Sequence, residues 1–445
     1  MLKVDWRNYQ RVILPDVPNL HQIEVYERHR GYEKLREVLT SGEWAPKKVV
    51  DTIKAANIRG RGGAGFNAGL KWSFMPPKKP GVPRYLACNG DESEPGTIKD
   101  RRIFEFNPHL FIEGVIIACY AMEMDAAYVY IRGEYVDYIR MLQKAVDEAY
   151  AKGYLGKNIL GSGFSLDVHV HRGAGAYICG EETSLMESLE GKRAYPRSKP
   201  PFPAQYGLWG KPTTINNIET LACVPLVLRH GVEWFTSTGA PDHPGPILYG
   251  ISGHVNRPGV YEYPTGMAIT DLIYEVAGGM RGGKRLKAVV PGGASVPILR
   301  AEDIEGVTMN GASLMRAGVP DSNPNPIPGR DGSMLGTAGM LILDEDTDMV
   351  KFIHRTARFY DHESCGQCTP CREGTGWVRR LLERFVHHEA GPRDLDLLLD
   401  ICDNMEGRTV CALADATAWP VRAAILRFRD EFEARVKLKA VPVYA

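Results

Sequence analysis

The chain has 445 residues, room for two or three domains at about 150 residues each. Lys+Arg and Asp+Glu both number 54, so it lacks the charge excess of a nucleic-acid or acidic-membrane binder. An apolar share of 44% with 24% charged residues excludes a disordered or membrane-embedded chain.

The N-terminal stretch MLKVDWRNYQRVILP carries Asp5 and Arg7 and no small-residue cleavage site, so a cytosolic chain is expected. The nine cysteines, an odd number, argue against a disulfide framework and for metal or redox chemistry where they cluster. Cys88, Cys119, Cys179 and Cys223 lie in apolar surroundings and are expected to be small buried hydrophobes.

Residues 1 to about 240 alternate helical and strand-like patterns, which predicts an α/β domain. PKKVVDTIKAANI has helical apolar spacing, PRYLACNG reads as a short strand, and YIRMLQKAVDEAYAKG as an amphipathic helix ending at Gly153. LFIEGVIIACYAMEM, interrupted by Glu113 and Glu123, is too short for the roughly 20 residues a bilayer needs and predicts a buried core helix. SLDVHVHRG alternates as a strand with His169 and His171 on one face, placed there as strand residues and not as ligands. From Pro244, GPILYGISGHV, GVYEYP, AITDLIYEVAGG and LKAVVPGG read as strand, strand, helix, strand, the order of a small β-grasp-like module. DSNPNPIPGRDGS predicts an exposed loop, and from about Met349 the chain is helical.

Four stretches carry chemistry in the first domain. GRGGAGFNAGLKW contains Gly60-x-Gly62-x-x-Gly65 but follows a helical segment, so the strand–loop–helix dinucleotide fingerprint is not met. Its glycines still let backbone N–H groups approach a phosphate or flat ring, with Arg61 and Lys71 adding positive charge. CNGDESEPGT puts Asn89, Asp91, Glu92 and Glu94 in one loop after a strand. GAGAYICGEET places Gly180, Glu181 and Glu182 before a helix starting near Thr183, and TTINNIET offers the amides of Asn216 and Asn217, able to bond both edges of a heterocycle. Together they predict a polar ligand cleft.

ESCGQCTPCREGTGW places Cys365, Cys368 and Cys371 at C-x₂-C-x₂-C spacing. Zinc sites usually pair two distant C-x₂-C knuckles, and a second one is absent; three close thiolates with a distant fourth suit an iron–sulfur cluster better. Cys402, on the apolar side of a predicted helix, and Cys411, after the turn EGRTV, are the candidates for the fourth ligand, and the turn favours Cys411.

The motifs GRGGAGF, CNGDESEPGT, GAGAYICGEET, SKPPFPA, TTINNIET and ESCGQCTPCREG, in this order over residues 30 to 430, resemble the flavin- and NADH-binding subunit of respiratory complex I. The resemblance implies an α/β protein of three parts: a Rossmann-like FMN- and NADH-binding domain over 1–240, a β-grasp (ubiquitin-like, soluble-ligand-binding) domain over 241–333, and a helical [4Fe–4S] domain over 334–445. It implies Cys365, Cys368, Cys371 and Cys411 as cluster ligands, CALADA being similar to the family's fourth-cysteine segment. It places FMN against Gly60, Gly62, Gly63, Lys71, Asn89, Asp91, Tyr177, Gly180, Glu181, Asn216, Asn217 and Thr220, with Arg61, Ala64, Gly65, Glu92 and Lys199 in the same cofactor-binding segments. Phe66, Phe74 and Phe202 resemble the aromatics that stack on the NADH adenine, and Glu94 and Glu182 the catalytic-site acids beside its ribose and nicotinamide.

The implied activity is NADH:quinone oxidoreductase: hydride from NADH to FMN, then single electrons to the cluster and onward toward quinone. The implied partners are NADH, a [2Fe–2S]-bearing thioredoxin-like subunit and the large iron–sulfur subunit. No nucleic acid is expected, and the membrane is met only through the complex, on the cytoplasmic face of the inner membrane. The alternatives are the diaphorase subunit of an NAD-linked hydrogenase or formate dehydrogenase and, from another class, a zinc-stabilised protein without catalysis.

Overall fold

Four short apolar runs make the first sheet: β1 (Tyr85–Gly90), β2 (Ala126–Ile131), β3 (Asp167–Arg172) and β4 (Thr213–Asn217). The computed structural model describes residues 5–437; the first four and last eight, the outer ends of the first and third expected domains, lie outside them. The strands run parallel in the order β3-β2-β1-β4. Helices cover both faces, which is why β1 is almost continuously buried, while the edge strand β3 alternates. His169 and His171 stack on Tyr128 and Tyr130 of β2 at 5.1 and 5.3 Å, cross-strand packing as the alternation predicts.

The core helix Pro108–Ala121 is buried almost throughout. Glu113 inside it accepts from the Tyr26 hydroxyl (2.5 Å), the Tyr32 amide (3.2 Å) and the Arg229 guanidinium (3.0 Å), so the charge that interrupts the apolar run is paired in the interior. Among the described residues no single helix is long and apolar enough to cross a membrane. The four isolated cysteines are buried, as expected.

The chain lays down β1, β2 and β3 outward, then returns past β1 to place β4 on its other side. Connections at the carboxyl ends of β1 and β4 therefore leave in opposite directions, the position at which open α/β sheets form a ligand crevice.

A ribbon of β5 (Gly239–Ala240) and β6 (His243–Pro244) leads into a mixed sheet of β7 (Pro246–Gly253), β8 (Gly259–Pro264), β9 (Leu286–Val290), β10 (Leu299–Arg300) and β11 (Gly339–Asp344), in the order β10-β9-β11-β7-β8. β11 is the central strand, parallel to β7 and antiparallel to β9. This corrects the expected boundary at 333: the middle domain needs β11 to join its two hairpin halves, and the helical domain begins after it. The helix expected over 268–279 is a short turn, Ile269–Asp271, continued as a π-turn over Leu272–Val276. Gly278 and Gly279, both at positive φ, stop it. The N-terminal arm binds this domain: the amides of Val12, Ile13 and Leu14 and the Tyr9 hydroxyl converge on the buried Glu262 carboxylate of β8.

Four helices, Met349–Glu363, Thr369–Val386, Asp394–Met405 and Leu413–Arg427, pack into the C-terminal bundle around Ile353, Tyr360, Val378, Leu382, Leu398 and Val421.

Candidate functional site

The crevice has two asparagines at its floor. Asn89 is the penultimate residue of β1 and Asn217 ends β4, and they are direct partners in the parallel register. Asn89 Nδ2 donates to Gly180 O (2.8 Å), which draws the third motif onto the sheet edge. Asn217 Oδ1 accepts from Glu219 N (3.0 Å) and caps the helix Ile218–His230, while its Nδ2 donates to Asp100 (2.7 Å). Asn216 Oδ1 is taken by Trp72 Nε1 (2.9 Å). Of the two amides expected to read a heterocycle, Asn217 is thus committed to a helix cap, and Asn216 keeps its NH₂ group for a ligand.

The glycine loop closes over this floor. It runs between two helices, Pro46–Ala55 and Ala68–Trp72, and is pinched at its base by Gly60 N to Phe66 O (2.9 Å). Gly63 has φ +111° and Gly65 φ +64°, and a Cβ on Gly62 would stand 3.2 Å from Asn217 Cβ. Gly63 requires glycine, and the other two positions favour it. The amides of Gly62, Gly63, Ala64 and Gly65 have no acceptor among the described residues, and Arg61 N donates to Thr220 Oγ1 (2.8 Å). A row of open amides with no Cβ above it fits a phosphate or the edge of a flavin ring, so the residues suit FMN.

Two side chains expected in the cleft are elsewhere. Arg61 is 1% exposed, and its Nη2 donates to the carbonyls of Pro244 (2.7 Å) and Pro246 (3.0 Å), stapling the loop to the middle domain. Glu92 accepts from the amides of Lys99 (2.8 Å) and Asp100 (2.6 Å), from Arg101 (3.0 Å) and from the Tyr135 hydroxyl (3.0 Å). It caps the helix Asp100–Phe106 from below, because a fully buried carboxylate needs all its lone pairs filled. Glu181 likewise caps the helix Glu182–Leu189 through the amides of Thr183 (2.8 Å) and Ser184 (2.9 Å). Asp91 does sit in the recess. Burial pushes its carboxyl up to about 7, against the pull of the Ser93 hydroxyl and Arg132.

At the mouth, Lys71 (2.8 Å) and Lys199 (2.5 Å) both hold Glu182. Burial opposes the charge, yet the two ammonium groups keep this carboxyl down at about 2. Phe66, Phe74 and Phe202 surround this triad in sequence and are 47%, 51% and 54% exposed. Phe66 and Phe74 stand 6.1 Å apart, while Phe202 is paired with neither. Exposed rings beside fixed charges are what a planar base needs. The Glu182 ion pair has a pH signature. A carboxylate lowered on folding adds stability above its unfolded value of about 4.3, and that stability is lost as pH falls toward 2. Glu182→Gln is therefore expected to cost about 2 kcal/mol at pH 7 and close to nothing near pH 2, read as the gap between thermal midpoints along a pH series.

Glu94 lies where the three domains meet. Its carboxylate accepts from the Tyr177 hydroxyl (2.7 Å), from the Ser295 amide between β9 and β10 (2.7 Å), and from the Tyr360 hydroxyl of the first bundle helix (3.1 Å). Burial raises this carboxyl, and the three donors pull it back. Tyr177 N also donates to Glu363 (3.1 Å), two residues before Cys365. Ser295, Tyr360, Glu363 and Thr337, whose methyl lies 3.7 Å from a Cβ on Gly63, belong to the site although sequence reading assigns them no role in it. Each lies far along the chain from the cleft motifs, and local pattern carries no signal for such contacts.

Cys368 is the N-cap of the helix Thr369–Val386 and Cys371 lies in its first turn; Cys411 stands just before the helix Leu413–Arg427. Cys371 is within electrostatic reach of Cys365 and Cys368, and Cys411 of Cys371, Cys365 and Glu181. Cys402 is fully buried in the bundle and feels Arg422, Asp403 and Glu406 instead. Four thiols, three from one short run and one from a later turn, are the donor set of a thiolate-ligated cluster, and two helix N-termini favour its negative charge.

Comparison with known proteins agrees with this geometry. Residues 53–226 match the family described as the Nuo51 FMN-binding domain, 248–348 an SLBB domain, and 351–435 the NADH-ubiquinone oxidoreductase-F iron-sulfur binding region. The chain is 50% identical to an F-type NADH-quinone oxidoreductase subunit of Rhizobium meliloti over 96% of its own length and 98% of that protein's. It is 48% identical to the F-type subunit of Rickettsia bellii over 94% and 96%. A solved NAD+-reducing [NiFe]-hydrogenase is similar at TM-score 0.75 and 34% identity; the match covers 89% of this chain and 63% of the hydrogenase chain. The chain belongs to the family of F-type NADH-quinone oxidoreductase subunits.

Proposed function

We propose that this protein is the NADH-oxidising subunit of a respiratory NADH:quinone oxidoreductase, with FMN in the β1/β4 crevice and a [4Fe–4S] cluster on Cys365, Cys368, Cys371 and Cys411. The observation that carries the reading is the contact of Tyr177, in the flavin-side loop, with Glu363 at the start of the cysteine run (3.1 Å). It supports the reading because it brings the loop proposed to face the flavin against the start of the cysteine run. Bound FMN would supply a hydride acceptor for NADH, and the cluster a one-electron outlet.

The chain's own part is positioning. The open amides of Gly62 to Gly65, the free NH₂ of Asn216 and the recessed Asp91 would hold and orient the flavin, with Asn89, Gly180 and Thr220 shaping the floor. Phe66, Phe74 and Phe202 would receive the adenine, and the Lys71–Glu182–Lys199 triad would fix the nucleotide's polar edge. Hydride transfer needs no protein acid, so alignment and water exclusion are the contributions that remain. Glu94 orients Tyr177 between the two sites.

The partners proposed are a thioredoxin-like [2Fe–2S] subunit and the large iron–sulfur subunit, on the cytoplasmic face of the membrane. The hydrogenase likeness supports a second reading, a diaphorase of a soluble complex, and the subunits that co-purify separate the two. Anaerobic addition of NADH to the holoprotein is expected to bleach the flavin band and then raise the EPR signal of the reduced cluster. A colourless zinc protein would overturn the reading. In Cys368→Ala protein that retains FMN, bleaching is expected to persist while the EPR signal is lost; failure to bleach with FMN bound would contradict the order.

A further inference from the structure

The thiols of the cysteine run are not equally solvated by the chain. Cys368 Sγ accepts from the Val410 amide (3.4 Å). Cys371 Sγ lies 3.2 Å from the Ser364 hydroxyl, and Cys365 has no donor among the described residues. Ser364 is the one side chain in this set. It follows the helix Met349–Glu363 as its C-cap, its own amide bonded to Tyr360 O (3.0 Å), and its Oγ accepts from Gly366 N (3.3 Å). With that lone pair taken, the hydroxyl proton is free to point at Cys371, and a ligating thiolate can only accept it.

We propose that Ser364 sets the reduction potential of the cluster by donating a hydrogen bond to Cys371. The inference rests on the cluster assignment above. Each electron added to a thiolate-ligated cluster makes it more negative. A donor aimed at a ligand sulfur therefore favours the reduced form and raises the potential. The Val410 amide acts in the same direction on Cys368 but belongs to the backbone. Ser364 is a position at which a side-chain change can retune the cluster without touching a ligand, and it lies four residues after Tyr360, at the end of the helix that also reaches Glu94.

The test is an EPR redox titration of the holoprotein as purified, beside Ser364→Ala and Ser364→Thr. Ser364→Ala is expected to keep its iron and its EPR signal but to shift the midpoint down. The reduced-to-oxidised ratio at a fixed potential should fall roughly tenfold, which is about 59 mV for a one-electron couple. Ser364→Thr, which keeps the hydroxyl, should restore the native value. On unmodified protein, proton ENDOR should show a strongly coupled exchangeable proton that is absent from the alanine variant. An unchanged midpoint with full iron would overturn the proposal, as would an alanine variant that cannot assemble the cluster while the threonine variant can, since the hydroxyl would then serve assembly. Absence of iron and signal from the unmodified holoprotein would instead defeat the cluster assignment itself.

Discussion

Cys411→Ser is expected to abolish the iron–sulfur centre, with most of the iron lost and no EPR signal on reduction, whereas Cys402→Ser is expected to leave both intact. The two cysteines are nine residues apart, and in the sequence only the turn before Cys411 favours it. Cys402 sits on the bundle-facing side of the helix Asp394–Met405 with no exposed surface, and its thiol feels Arg422 and Asp403. Burial pushes both thiols up to about 12, so placement and not acidity separates them. Cys411 follows Val410, whose amide reaches Cys368 Sγ (3.4 Å), so its turn lies against the cysteine run. A helix-buried thiol could reach the cluster only by unpacking its helix from the helices Thr369–Val386 and Leu413–Arg427, at several kcal/mol. Iron per chain and EPR of the reduced variants decide the matter, and the reverse pattern would reassign the fourth ligand.

Glu94→Ala is expected to destabilise the protein by on the order of 3 kcal/mol and to weaken NADH binding, while Glu94→Gln costs about 1 kcal/mol or less. One carboxylate satisfies donors from three parts of the molecule, Tyr177, Ser295 and Tyr360. Removing it leaves buried hydroxyls and an amide unpaired, which is the expensive case, whereas the amide of Gln keeps an acceptor for Ser295 and Tyr360 and lets the Tyr177 hydroxyl turn and accept. The pH trend has a definite sign. Burial raises this carboxyl, so the native state binds its proton more tightly than the unfolded chain, and the wild type loses stability as pH rises through that window. The gap between wild type and Glu94→Gln should therefore narrow from acid to neutral pH. Thermal midpoints of the three proteins, with a double-mutant cycle to Tyr360→Phe, measure it. Equal costs for Ala and Gln would show that charge, and not the shared acceptor, holds the junction.

The sequence by itself determined the parts whose signal is local. Apolar periodicity placed the helix Pro46–Ala55, the strands β1, β3 and β7 and the four bundle helices, because side-chain spacing along an element is set by the element's own geometry. Glycines at 60–65 and cysteines at 365–371 announced their chemistry because positive φ and thiolate ligation admit few residue types. Tertiary structure alone decided what each polar group spends its bonds on. Arg61 and Glu92 stand in the chain among residues expected to bind ligand, yet both point into the interior, where the carbonyls of Pro244 and Pro246 and the amides of Lys99 and Asp100 take them. β11 entered the middle sheet although a proline-rich loop separates it from its partners, since pairing between distant strands is written in no short window. The junction at Glu94 was invisible for the same reason: Ser295 is 201 residues and Tyr360 266 residues away along the chain. A hydrogen bond depends on distance in space, and over such separations only the packed fold sets it.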